Sequence, residues 1–341
     1  MKAVQIIQPG EVKVIHLPLP GIKPGEVLVK INHTGFCGSD LNTYSGKNPM
    51  ARLPVVPGHE ISAEITERSE GVPEHIQPGR LCTVNPYTAC GHCSSCRNGR
   101  PNACRYNQTL GVQRDGAMTE FMALPWEKII TDREHTLSKK ALALVEPLSV
   151  GFHAVSRAQV TDLDTVMIIG CGMIGLGALI RSHIRGARVI AVDVDESKLA
   201  LAGQLGAAYT LCSGTEDIHA RLQDLTNGAG PDVVIEAVGA PATYRMAVDE
   251  VSFTGRVACI GYAKTEIAFE TKLFVQKEMD IRGARNALPE DFRAVMEYLG
   301  RGHCPEDALI SGIYPPEQAQ EALERWKSSP GKVFRILISF E

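Results

Sequence analysis

No stretch of this chain approaches the roughly 18 uninterrupted apolar residues that a membrane-spanning helix requires. It also lacks any block of lysine and arginine. The formal charge is -4 and the pI is near 6.2, which leaves no basic surface for nucleic acid. The opening MKAVQII has neither the charged start, the long apolar middle nor the small-residue cleavage site of a secretory leader. The expectation is a cytoplasmic protein that acts on small molecules, with no nucleic acid and no membrane as partner. Internal repeats and low-complexity segments are absent too. What is there, 341 residues with 44% hydrophobic and 22% charged, suits an ordinary globular chain of two domains with a large core.

Ten cysteines are present, but a chain this long needs no covalent staples and a reducing cytosol would not keep them oxidised. Four of them, Cys90, Cys93, Cys96 and Cys104, fall within the fifteen residues CGHCSSCRNGRPNAC. Crowded thiolates repel one another or oxidise unless a tetrahedral ion satisfies all four, so this spacing reads as a closed structural zinc site. Apparent binding free energies of ~10 to 16 kcal/mol for such sites far exceed the ~2 to 4 kcal/mol of a disulfide. His92, inside CGHC, is then a solvated loop residue. Cys37 in GFCGSD, with His59 and Glu60 in PGHE, forms a second and mixed set. Thiolate, imidazole and carboxylate can hold zinc at three corners and leave the fourth open for an alcohol oxygen. Cys82, Cys171, Cys212, Cys259 and Cys304 are scattered among apolar neighbours and read as small core residues.

The first third, with VKVIHL, EVLVKIN, EFMAL and KIIT among glycines and prolines, reads as short strands and tight turns. SKKALALVEPLSVGFHAVSRA reads as helix from a Ser138 cap, which Pro147 should kink or split. From Asp164 strands alternate with helices: TVMIIG, MIGLGALIRSHI, ARVIAVD, ESKLALAGQLG closed by Gly206, DVVIEAVG, a helix from about Ala242, RVACIG and DIRGA. That alternation predicts an α/β fold with a doubly wound parallel sheet. PEDFRAVMEYLGRG and PEQAQEALERWKSS predict two further helices, and KVFRILISF a final strand that returns to the β-rich part.

Gly170, Gly172 and Gly175 in GCGMIG, with Met173 and Ile174 between them, follow a strand and open a helix. In that context the first glycine makes the tight turn, the second admits a pyrophosphate, and the third lets helix pack on strand. Asp193, at the end of the next strand, stands where an acid binds the adenosine ribose hydroxyls. A carboxylate there repels a 2'-phosphate and no arginine follows directly, so NAD is expected over NADP.

With these motifs, together with EPLSVGFHA, the chain resembles the zinc-dependent medium-chain dehydrogenases, the alcohol, polyol and threonine dehydrogenases, over essentially its full length. The resemblance implies a GroES-like catalytic domain over 1–145 and 288–341, with a structural zinc lobe at about 88–106, and a Rossmann domain over 146–287. It makes Cys37, His59 and Glu60 the catalytic zinc set. Glu146 matches the glutamate of the polyol branch, which binds zinc directly or holds the metal-bound water. Ser39 matches the hydroxyl that takes up the substrate proton, and Asp40 reads as an orienting neighbour of the metal ligands. Asn42 departs from the family, many of whose members carry a proton-relaying histidine there; the proton must leave through water or Glu146. Arg285, with Asn286, matches the segment that presents an arginine to polyols and sugar acids. The implied activity is oxidation of a secondary hydroxyl in an L-galactonate-like aldonate or a polyol, with two zinc ions and NAD. A threonine 3-dehydrogenase-like enzyme and a non-catalytic zinc-holding regulator on the same fold are the alternatives, and a homo-oligomer, tetramer or dimer, is expected.

Overall fold

A computed structural model of the protein describes residues 1–132, 134 and 136–341. The chain forms two compact units, Met1–Pro147 with Leu288–Glu341, and Leu148–Ala287.

The first unit is built on a seven-stranded sheet whose longest member, Glu26–Phe36, pairs antiparallel with Glu60–Arg68 on one side and with Arg335–Ser339 on the other. The final strand is thus part of the same sheet as the first third of the chain. Its register sets Ile336 opposite Phe36, while Gly35 lies opposite Glu60. Alternation of apolar residues along these strands fills one core with Val27, Val29, Ile31, Ile61, Ala63 and Ile65, each fully buried. Each such valine or isoleucine contributes about 1.5 to 3 kcal/mol. A second cluster on Phe36, Ile336 and Ile338 takes in Leu323 and Trp326 from the helix Ala319–Ser328.

The second unit is a six-stranded parallel sheet in the order Tyr209–Cys212, Arg188–Asp193, Thr165–Ile169, Val233–Glu236, Arg256–Cys259, Asp280–Gly283. The order reverses beside Thr165–Ile169, the place where open α/β sheets bind ligands at the carboxyl ends of their strands. Buried Val, Ile and Met runs on the central strands explain why both faces need helices. The predicted alternation of elements, and with it the fold class, is what the structure has.

Two local expectations need correction. Pro147 lies inside a single helix, Lys139–Ala158, and does not split it. The helix starts where its Ser138 hydroxyl accepts the Ala141 N–H at 2.9 Å, and its many apolar contacts offset the one backbone bond that proline removes. Of the five scattered cysteines, Cys82, Cys171 and Cys212 are buried, but Cys259 and Cys304 are only half-buried.

Candidate active site

Cys37 caps the short helix Gly38–Tyr44, and Asp40 at its third position accepts the Cys37 N–H at 2.7 Å. This fixes the loop that carries the thiol. His59 and Glu60 arrive on the start of the neighbouring strand, and one ligand atom from each of Cys37, His59 and Glu60 lies within 4.8 Å of the others. The sequence set therefore converges. Glu146 is not among those three, but it acts electrostatically on both His59 and Glu60, and its Oε1 accepts the Tyr87 hydroxyl proton.

Glu60 is fully buried and crosses the central strand to meet Arg335, whose Nε stands 3.0 Å from Glu60 Oε2. The contact is between charges and lacks hydrogen-bond alignment. Gly35 makes the crossing possible, because a Cβ at that position would collide with Glu60 Oε2. Arg335 is itself held by its Nη1, which donates to the Phe36 carbonyl at 2.6 Å.

The charges here are out of balance. Asp40, Glu60 and Glu146 are all buried beside Cys37, with Arg335 and His59 as the cationic partners. Burial pushes the Cys37 thiol up, but His59 overcomes this and leaves it below the usual thiol range. Burial likewise opposes charge on His59, yet Cys37, Asp40 and Glu146 hold its imidazole well above the ordinary value. Burial drives Glu60 well above the carboxylate range despite Arg335, and it raises Asp40 too. Among the described residues, His59 Nδ1, Asp40 Oδ1 and the Ser39 hydroxyl are buried without a hydrogen-bond partner. Orphaned donors and acceptors among buried acids that outnumber the cations are what a divalent cation with an exchangeable ligand would satisfy, since it would let those acids ionise. The donor set fits zinc.

The four-cysteine lobe fits the same metal by a different test. Its sulfurs are 3.5 Å (Cys93 to Cys96), 3.8 Å (Cys93 to Cys104) and 4.0 Å (Cys90 to Cys96) apart. These separations are too long for disulfides and match the ~3.8 Å edge of a tetrahedron with ~2.3 Å zinc–sulfur bonds. The N–H groups of Cys90, Cys93 and Tyr106 point at sulfurs at 3.3 Å. A hydrogen bond from Ser95, with backbone help, draws Cys93 down to about 5, whereas burial and hydrogen bonds to neighbouring thiols push Cys96 up to about 11. Without a cation the four cannot all ionise. His92 is exposed and turned to the Cys90 carbonyl, outside the set.

In the second unit the glycine-rich turn has the geometry a nucleotide needs. Gly170 has φ +93°, and a Cβ on Gly175 would strike the Gly170 carbonyl, so helix Met173–Ile184 packs hard on its strand. A Cβ on Gly172, the helix N-cap, would meet nothing within 4 Å, which leaves the backbone open to a phosphate. Asp193 Oδ2 accepts the Cys171 N–H at 2.7 Å and Oδ1 the Asp195 N–H at 3.0 Å. The acid is thus locked to the turn, with lone pairs to spare. Arg285, half-buried, lines an open cleft of about 640 Å³ with Tyr244, Tyr262 and Phe269, and Asn286 follows it at φ +53°.

Sequence reasoning missed Arg335 and Tyr87. Arg335 had one signal, a charge in the apolar run VFRILI; Tyr87 had none.

Residues 23–133 match the alcohol dehydrogenase GroES-like domain and residues 174–301 the zinc-binding dehydrogenase domain. The chain is 31% identical to the L-galactonate-5-dehydrogenase of Escherichia coli strain K12, over 98% of this chain and 97% of that one. It is also 31% identical to a sorbitol dehydrogenase of Halalkalibacterium halodurans, over 94% and 93%. A crystal structure of an alcohol dehydrogenase, RspB, from E. coli CFT073, complexed with NADH, superposes with a TM-score of 0.91 at 27% identity, covering 100% of this chain and 99% of that one. The described helices include none long and apolar enough to cross a membrane. The chain belongs to the zinc-binding alcohol dehydrogenase family of oxidoreductases, as its motifs imply.

Proposed function

We propose that the protein is a zinc-dependent dehydrogenase that oxidises a secondary alcohol of a sugar acid or polyol, moving a hydride from its carbinol carbon to NAD while the hydroxyl gives up its proton. The observation that carries this reading is the buried convergence of Cys37, His59 and Glu60 amid buried acids that outnumber the cations. A zinc ion held by Cys37, His59 and the carboxylate of Glu60 or Glu146 supplies Lewis acidity, of the kind that brings the pKa of bound water from 15.7 to about 7.

The chain's own groups do the rest. Ser39, its buried hydroxyl unpartnered among the described residues, accepts a hydrogen bond from the substrate hydroxyl and relays the proton by passing its own on. Asp40 fixes the thiol loop, and Arg335 sets the reach of Glu60. Asn42 cannot titrate, so the proton leaves by water or by Glu146, which Tyr87 orients. Gly170, Gly172, Met173, Ile174 and Gly175 cradle the pyrophosphate, and Asp193 takes the ribose hydroxyls and repels a 2'-phosphate. Arg285 and Asn286 bind the hydroxyl-rich chain through their donors. The second zinc, on Cys90, Cys93, Cys96 and Cys104, is structural. Kinship with an L-galactonate-5-dehydrogenase and a sorbitol dehydrogenase supports hydroxyl-rich substrates, with aldonates of the L-galactonate kind as the first choice.

The test is a panel of aldonates, polyols and L-threonine followed at the NADH absorbance, with NAD and NADP compared and metal measured on the same sample. The expected result is NAD reduction by an aldonate or polyol at two zinc ions per chain. Full zinc occupancy with no turnover of any alcohol would sink the proposal, and turnover of L-threonine alone would redirect it.

A further inference from the structure

A tight turn in the catalytic unit carries a cation, Arg114, with which no acid among the described residues pairs. The Gly111 N–H donates to the Arg114 carbonyl at 2.8 Å, closing the turn. The turn packs on the segment just before His59: Gly116 N–H donates to Val56, Met118 N–H to Pro57 and Ala117 N–H to Gly58, at 2.7 to 3.0 Å. A Cβ on Gly111 would collide with the Gly58 backbone, so the turn lies against the ligand loop with no room for a side chain between them.

Arg114 is half-buried, its Nε lies out of solvent without a hydrogen bond, and among the described residues no acid pairs with its guanidinium. The adjacent Asp115 is engaged elsewhere, its Oδ1 accepting the Val56 N–H at 2.8 Å. The other charge near it is positive. Lys128 is close enough to be depressed by burial and then by Arg114, with Glu127 as its one opposing acid. Lys128 Nζ donates to the Tyr87 carbonyl at 2.6 Å, and the hydroxyl of that tyrosine binds Glu146. Lys128, with Arg114 near enough to act on it, therefore sits one tyrosine from a carboxylate of the proposed metal site. Left alone the two cations repel each other and lose solvation, and an arriving anion relieves both costs.

We propose that Arg114, backed by Lys128, recognises an anionic group on the substrate, a carboxylate or a phosphate, and so selects charged over neutral polyols. The guanidinium fork matches either group in two parallel hydrogen bonds. This rests on the dehydrogenase reading above and adds the substrate's charge to it.

The test compares wild type, Arg114→Gln and Arg114→Lys on an aldonate, an alditol phosphate and a neutral polyol. In Arg114→Gln the KM for the preferred anionic substrate is expected to rise roughly 10- to 100-fold with kcat little changed. The neutral polyol stays within about two-fold, and Arg114→Lys recovers part of the loss. Which anionic substrate suffers identifies carboxylate or phosphate. Equal KM values for anionic substrates in wild type and Arg114→Gln, or a parallel loss on neutral polyols, would overturn the proposal. Thermal protection of the zinc-loaded protein by the same anions gives a readout independent of turnover. If no alcohol is oxidised, the dehydrogenase reading fails, while protection lost in Arg114→Gln still supports the anion site and protection retained refutes it.

Discussion

All four sulfurs of the lobe come from fifteen consecutive residues, whereas the groups around His59 come from chain positions 37, 59, 60, 87, 146 and 335. The lobe has four like ligands, each supported by backbone N–H groups or neighbouring sulfurs, and no unpartnered polar atoms among its cysteines. The cluster at His59 has unlike ligands, buried acids that outnumber the cations, and orphaned donors and acceptors. A closed shell needs only local chain to hold an ion. An open one needs walls from distant parts of the sequence to exclude water and fix charge, and the unsatisfied atoms mark where a reactant belongs.

Three changes sharpen this contrast. His59→Ala removes a ligand of the open site, and kcat/KM on the best substrate is expected to fall on the order of 10⁴-fold. Melting should fall as well, because buried Cys37, Asp40 and Glu146 lose their cation, and metal analysis should give one zinc per chain. Arg335→Met leaves the Glu60 carboxylate buried without its cation and should cost about 3 to 5 kcal/mol in denaturant unfolding. Adding Glu60→Gln should recover most of that stability but not the activity. Cys93→Ala in the lobe should also reduce zinc to one per chain and lower the melting temperature as the lobe loses its closed shell. Activity per folded molecule should be retained. If Cys93→Ala abolished turnover as fully as His59→Ala, the division of labour between the two sites would be wrong.

What could be read from the sequence follows the same divide. Features that depend on local spacing were plain: the cysteine lobe, the glycine-rich turn and its helix Met173–Ile184, the alternation of strands and helices, and the return of the last strand. Periodicity and spacing encode them directly. The convergence of Cys37 with His59 and Glu60 was inferred from motif likeness, because a thiol and an imidazole 22 positions apart reveal no distance. Arg335 could not be anticipated as the partner of Glu60, since the pairing depends on register across three strands and on the absence of a side chain at Gly35. Of the two outcomes expected at Pro147, a kink or a split, the split does not occur. The local rule for proline predicts a break, but burial of Leu142, Leu144, Leu148 and Phe152 along the helix overrides it.

The placement of Arg335 bears on how the enzyme matures. A nascent chain can fold its first strands and fill the cysteine lobe while the ribosome is still translating, but the cation that offsets Glu60 is added only some 275 residues later. Until then the acid has His59 but not Arg335 to offset its burial, so metal capture at the reactive centre should wait for release of the finished polypeptide, long after the lobe has been loaded.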